Sequence, residues 1–356
     1  MVRLNALSTI VPRHGVGTDE TIRFFEPHCP ATARARFARS IATGGNRRRY
    51  AVLSLDELGR LGGAGERAAL YRRHAEPLAE RAVGALADAG TLRAERISAV
   101  IFVSSTGFAA PSIDAHVVRR FGLSACRRRI PLAQLGCGGG VAAFSLAAEL
   151  VARDPSARVL VVSVELPSLH LQLAEPSYTE LLSAAQFGDG AAAAVLSSED
   201  AGVEVLGTGS VLLPEVEEGG RILPCETGFR LLASSGLPQV IRTRARELVG
   251  RFANAHRVDA DRLAFVAAHP RGRAVLDAVA EGLAVDPSLL AAGYDAWEDG
   301  GNMVSASIYR VLAALARRAP AHDDVGAMLA FGTGLACEAA FLRWDAAPDV
   351  TTDMAA

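Results

Sequence analysis

The chain contains no lysine: all 37 of its basic side chains are arginine. That absence excludes Schiff-base chemistry on a lysine amine, pyridoxal phosphate anchored the same way, and a Walker-type phosphate loop. Covalent chemistry therefore needs another nucleophile. Excess charge is also missing, with 39 acidic residues against 37 basic and a net charge of −2. Nucleic-acid binding by phosphate neutralisation needs a clear basic excess and is not expected. No run is long enough to span a membrane. The most apolar stretch, Val141 to Ala152, carries Glu149 and is too short for a bilayer. Residues Met1 to Val16 lack the basic-then-apolar order of a signal peptide, being interrupted by Arg3, Asn5, Pro12 and Arg13. A cytoplasmic location is expected. The 5 cysteines are scattered and contain no CxxC pair, which fits neither a disulfide framework nor a zinc site. No metal is expected.

What is present points to a compact α/β enzyme: 356 residues, half of them apolar and 21% charged. The first fifty residues read as irregular or short-helical. Apolar spacing then predicts an amphipathic helix from Glu66 to Ala89 and buried strands over Ile97–Val103, Arg158–Val164 and Gly190–Leu196. Between the first two strands lies an apolar helix opened by Gly136-Cys137-Gly138-Gly139-Gly140. The second half repeats this programme. A helix over Pro238–His256 precedes a strand at Arg262–Ala268. A Gly300-Gly301-Asn302 turn opens an apolar helix, Met303–Arg317, and strands follow at Gly326–Phe331 and Ala336–Leu342. Two buried helices flanked by buried sheets imply five layers, αβαβα, whose halves are related by a pseudo-twofold axis. The join falls near Ser197–Gly202, which divides the chain into residues 1–200 and 201–356.

Cys137 is the candidate nucleophile. A thiol at a helix start meets free N–H groups and the positive end of the helix dipole, which favour the thiolate. Flanking glycines leave room for a substrate to approach. Isolated cysteines are often mere small hydrophobes, and lone histidines are more often structural than catalytic. Here His269 directly follows the second-half strand and Asn302 marks the corner equivalent to Cys137. Cys, His and Asn are the parts needed for acyl transfer through a thioester.

These residues also carry a resemblance. Ser104-Ser105-Thr106-Gly107-Phe108, Pro111-Ser112, Leu135-Gly136-Cys137, Phe187-Gly188-Asp189-Gly190-Ala191, His269-Pro270 and Gly301-Asn302-Met303 occur in order over nearly the whole chain. Together they resemble the type III polyketide synthases, the chalcone and stilbene synthase superfamily of the thiolase fold. The resemblance implies a homodimer that extends an acyl-CoA starter with malonyl-CoA, without a carrier protein and with no cofactor beyond the CoA thioesters. Cys137 would hold the starter and then the growing chain. His269 would maintain its thiolate, and Asn302 with His269 would bind the oxyanion that develops during decarboxylation and condensation. A pyrone or phenolic product would follow by cyclisation.

The same resemblance places Phe187 and Phe229 as gatekeeper aromatics, His170 and Val304 at the cavity, and Arg36 and Arg39 on CoA phosphates. Thr43 stands where the family carries a further lysine. Arg271 and Arg273 replace a glycine and a proline, and could supply the missing positive charge. Val304 replaces a common serine, and Thr333 replaces the proline of a glycine-rich loop. Asp189 and Glu165 are expected to brace loops. The nearest rival is a β-ketoacyl carrier-protein synthase, which uses the same trio but typically shows His-Gln-Ala-Asn and Gly-Asn-Thr. A hydroxymethylglutaryl-CoA synthase would need a glutamate acid that is not evident. A catalytically silent thiolase-fold partner would not need all three residues. A dinucleotide-binding domain does not fit, since the glycines break the G-x-G-x-x-G pattern.

Overall fold

The computed structural model describes residues 1–174, 176–215, 220–232 and 234–353. Ten strands make the main sheet: β1 Arg3–Ile10, β2 Ala99–Val103, β3 Arg128–Leu132, β4 Val159–Glu165, β5 Gly190–Ser197, β6 Val203–Leu212, β7 Phe265–Ala268, β8 Val325–Phe331, β9 Ala336–Arg343 and β10 Asp349–Asp353. Five helices frame the site: α1 Ala64–Asp88, α2 Gly139–Arg153, α3 Leu237–Ala255, α4 Arg273–Leu283 and α5 Ser307–Arg318.

The strand order is β7-β8-β9-β6-β1-β5-β4-β2-β3, with β10 beside β1. β1 and β6 pair only at Arg3–Glu204 and Leu4–Val203, so the sheet is two leaves joined at a corner. Side-chain alternation sorts each leaf between two cores. In β2, Val100 and Phe102 pack with α1, whereas Ala99, Ile101 and Val103 face α2 and α5. In β8, Ala327, Leu329 and Phe331 pack with α3 and α4, whereas Met328 and Ala330 face the central helices. The layers are therefore α1, leaf, α2 with α5, leaf, and α3 with α4. This is the expected five-layer αβαβα sandwich.

The two central helices touch at their starts. A Cβ on Gly140 would collide with the Ser305 carbonyl oxygen and the Ile308 side chain, so only glycine permits the approach. That contact sets Cys137, just before α2, close to the segment that leads into α5.

The N-terminal expectation needs correction. Residues 3–10 are the buried strand β1, although Asn5, Ser8 and Thr9 interrupt its apolar pattern. Two of these polar groups are satisfied internally. Asn5 donates to the Asp200 and Ala201 carbonyls at 3.0 and 3.1 Å, and Ser8 donates to the Ala82 carbonyl at 2.6 Å. The strand β6 and the hairpin Arg221–Cys225/Gly228–Leu232 were not anticipated either. The expected strand over Arg262–Ala268 begins only at Phe265, after a 3₁₀ turn at Ala260–Arg262. The second central helix begins at Ser307 rather than Met303, because Val304–Ala306 form a 3₁₀ turn. No helix among the described residues is long and apolar enough to cross a membrane.

Candidate active site

Cys137 sits in a single 3₁₀ turn, Gly136–Gly138, that runs directly into α2. Gly136 holds φ +54°, and the Thr333 methyl packs where its Cβ would lie at 2.6 Å. The Thr333 hydroxyl donates to the Gln134 carbonyl at 2.8 Å, and the Gly136 N–H donates to the Ser105 hydroxyl at 2.8 Å. Both halves of the molecule thus clamp the turn. The thiol lies 3.8 Å from both Oδ1 and Nδ2 of Asn302.

One residue links the other two candidates. Val304 donates its N–H to Asn302 Oδ1 at 2.9 Å, and its carbonyl oxygen accepts from His269 Nε2 at 2.8 Å. The first bond occupies Oδ1 and leaves Nδ2 as the amide's donor toward the Cys137 sulfur. The second requires a proton on Nε2, so the ring's other nitrogen is the one able to take a proton from a thiol. Val304 achieves this at φ +48°, a left-handed conformation unfavourable for a β-branched residue. Such strain costs on the order of 1–3 kcal/mol and persists where the surroundings enforce it.

Burial alone would push the Cys137 thiol up. The charge and hydrogen bond of His269, then the charge of Arg271 and the hydrogen bond from Asn302, outweigh it and bring the thiol down to about 7. The thiolate is therefore substantially populated at neutral pH, and its fraction falls as pH drops below 7. Alkylation by iodoacetamide is expected to titrate with a midpoint near pH 7. His269→Ala should move that midpoint upward. Val304→Ala should leave it in place, because both Val304 hydrogen bonds belong to the backbone. A midpoint unchanged by His269→Ala would refute the pairing.

Behind the turn, Glu165 is fully buried and accepts the Ser105 N–H at 3.1 and 3.0 Å, together with the Thr106 and Ser305 hydroxyls. Burial pushes its carboxyl up to about 7, against the pull of these bonds. Since Ser105 also holds the Gly136 N–H, Glu165 braces the Cys137 turn from β4. Asp189 does the same for two other segments, accepting the Val52 and Ser168 N–H groups at 2.9 Å each. Burial raises its carboxyl to about 6. Asp189→Ala leaves both buried donors without an acceptor and should lower the unfolding free energy by about 2–3 kcal/mol in urea melts.

A small cavity of about 30 Å³ opens at Cys137, lined by Thr106, Phe187, Leu231, Arg271, Val304 and Thr333 among others. Phe187 lines both this cavity and a groove of about 750 Å³ that carries Arg36, Tyr178, Arg271, Arg273 and Asn302 on its walls. The Phe187 and Asn302 backbones pair directly, with Gly188 N–H donating to the Asn302 carbonyl at 3.0 Å. Arg36 lies over the Tyr178 ring at 4.9 Å, and Arg273 over Tyr294 at 5.6 Å.

Two of the expected site residues are placed differently, and His170 lines a small neighbouring cavity with Phe187 and Leu231. Arg39 is exposed and is not among the residues lining the groove. Phe229 turns from the Cys137 cavity and packs against His170 at 4.9 Å between ring centroids, so Leu231 of the same hairpin faces the cavity instead. His170 uses both ring nitrogens, Nε2 on the Thr106 carbonyl at 2.6 Å and Nδ1 accepting from Phe229 N–H at 3.3 Å. Burial lowers it to about 4, so it is neutral and pins the hairpin. Glu165 and Asp189 brace loops as expected, whereas Ser105 and the Val304 backbone were not recognised as supports from the sequence.

A helix-start cysteine facing a histidine and an asparagine from the duplicated half defines a thiolase-fold condensing enzyme. Comparison with known proteins narrows this. The family model for the N-terminal domain of chalcone and stilbene synthases matches residues 4–200, and that for their C-terminal domain matches residues 209–344. The 1,3,6,8-tetrahydroxynaphthalene synthase of Streptomyces peucetius subsp. caesius is 33% identical over 95% of this chain and 92% of its own length. The phloroglucinol synthase of Pseudomonas fluorescens is 28% identical over 94% and 97%. The crystal structure of the Streptomyces coelicolor tetrahydroxynaphthalene synthase, a bacterial type III polyketide synthase, superposes with a TM-score of 0.90 at 30% identity, covering 97% of this chain and 100% of that one. The chain belongs to the chalcone and stilbene synthase family and is a type III polyketide synthase, an acyltransferase that builds polyketides by condensation.

Proposed function

We propose that this enzyme extends a short acyl-CoA starter with malonyl-CoA on Cys137 and releases a cyclised pyrone or phenol, the product class suggested by the relatives' names. The Cys137 thiolate attacks the starter thioester, forming an S–acyl bond as CoA thiolate leaves and takes up a proton. Malonyl-CoA then loses CO₂, and the electron pair of the broken C–C bond becomes an enolate. Asn302 Nδ2 and His269 donate to its oxygen. The enolate carbon attacks the acyl carbonyl, the bond to Cys137 breaks, and the chain returns to CoA one unit longer. No general base is needed, because loss of CO₂ itself leaves the nucleophile.

The groove bearing Arg36, Arg271 and Arg273 would take CoA, since guanidinium forks suit phosphate. Phe187 would stand between groove and cavity. The reading also includes a homodimer in the cytoplasm, with functional halves 1–200 and 201–356. The observation that carries it is the approach of Cys137 to Asn302 at 3.8 Å, with His269 tied to the same Val304 backbone. The test is incubation with acyl-CoA and labelled malonyl-CoA alone. Labelled CO₂ and a polyketide should form without a carrier protein. Strict dependence on a carrier would sink the reading.

A further inference from the structure

We propose that a second cavity beside the Cys137 cavity takes the hydrocarbon end of the starter, a CoA ester of a saturated aliphatic acid, and that Leu231 sets how far the chain reaches. This rests on Cys137 being the acylated residue. The second cavity measures about 20 Å³, and its apolar lining is Pro167, Leu171, Ala184, Phe187 and Leu231. Phe187 and Leu231 also line the Cys137 cavity and are the two residues common to both walls. They differ in what holds them. Phe187 lies in a segment tied to the catalytic amide. The Gly188 N–H donates to the Asn302 carbonyl at 3.0 Å, and the Asn302 N–H donates to the Gln186 carbonyl at 2.9 Å. Leu231 sits on the hairpin, whose two strands form a sheet of their own. Its side chain can change rotamer without moving Asn302.

The lining decides between a hydrocarbon end and a chain that carries ketones. Four polar side chains reach the second cavity, His170, Gln172, Glu180 and Arg230. Each is already engaged. His170 spends both ring nitrogens on the Thr106 carbonyl and the Phe229 N–H. The Gln172 amide donates to the His170 and Phe229 carbonyls at 3.3 and 3.2 Å and accepts from the Thr227 hydroxyl. Arg230 pairs with Glu180 at 2.6 Å, and its side chain is 44% exposed. A ketone placed among these groups finds no buried donor without breaking an existing bond. An alkyl end needs none and gains from leaving water. A cavity of this size admits a group about as large as one or two waters, which a methyl or ethyl end matches.

The test is a series of straight-chain saturated CoA esters, acetyl to decanoyl. The rate of S-acyl adduct formation on Cys137 is read by intact mass and peptide mapping. It should climb with length to a maximum, then fall about 10-fold or more within about two further carbons, where the end overfills the cavity. At the best length, an ester with a ketone on its penultimate carbon should react roughly 5- to 100-fold more slowly, the cost of an unpaired carbonyl. Leu231→Ala should move the maximum about two carbons longer, and Leu231→Val, the smaller cut, should move it the same way. Ala184→Leu fills the second cavity from a wall the first does not share, and should move the maximum to shorter chains. Each effect is a shift along the series, so a general loss of activity does not imitate it. A wild-type rate independent of length overturns the proposal. So does a ketone ester as fast as its hydrocarbon counterpart, or a maximum unmoved in the Leu231 variants or in Ala184→Leu. No adduct from any ester, or an adduct on another cysteine, overturns the Cys137 reading itself and the proposal with it.

Discussion

Cys137→Ala should form no acyl adduct with any acyl-CoA and should lose polyketide formation by at least about 10³-fold, as expected when a covalent nucleophile is deleted. It should still release CO₂ from malonyl-CoA, because Asn302 and His269, which receive the enolate oxygen, remain in place. Cys29, Cys126 and Cys337 offer no substitute with the same ionisation. Burial pushes Cys337 up to about 12, and it also raises Cys29 and Cys126. At Cys137 a histidine, an arginine and an amide together overcome burial. Intact mass after incubation, with CO₂ release measured in the same samples, checks both halves of the expectation. A persistent adduct on Cys126 or Cys225 would overturn the assignment.

The positions that announced themselves in the sequence did so through local chemistry. Glycines around Cys137 and before Asn302 mark tight turns ahead of apolar helices, and His269 stands at the end of a buried strand. Duplication of the strand–turn–helix programme then supplied the five layers. What stayed hidden depends on contacts between distant segments. Ser105 lies 31 positions from the Gly136 N–H it accepts, and Glu165 meets Ser305 across 140. The strand β1 was obscured because Asn5 and Ser8 break its apolar alternation, and their partners at Asp200, Ala201 and Ala82 are visible only in the folded chain. Motif matching gave Phe229 and Arg39 a place along the chain without a direction. The hairpin turns the first against His170, and the second ends in solvent.

Val304 explains why the trio works as a unit rather than as three neighbours. Its backbone joins the Asn302 amide to the His269 ring, so neither can rotate without breaking a hydrogen bond to the same peptide segment. The family resemblance drew attention to its side chain as a cavity residue. Its backbone serves a separate purpose, and a substitution that enlarges the cavity need not disturb catalytic geometry. Preorganisation of this kind is what lets donors stabilise developing charge without reorganising at the moment of reaction.

Asn302→Ala should therefore uncouple the two half-reactions in the opposite sense to Cys137→Ala. Decarboxylation of malonyl-CoA should fall by about 10²–10³-fold, the usual cost of removing one oxyanion donor. Acylation of Cys137 by a starter should continue, because His269 remains the larger contributor to its thiolate and Asn302 the lesser. The thiol midpoint should rise only modestly. Asn302→Asp provides the sharper comparison. Its remaining oxygen still accepts from the Val304 N–H, so the local backbone is preserved, yet Nδ2 is replaced by an oxygen that repels an enolate. If Nδ2 is the operative donor, the aspartate variant should decarboxylate no faster than the alanine variant despite its closer shape. Single-turnover acylation by mass spectrometry and labelled CO₂ release give the two rates independently. Equal loss of both in Asn302→Ala, or recovery of decarboxylation in Asn302→Asp, would remove Asn302 from the oxyanion site and leave it a structural neighbour of Cys137.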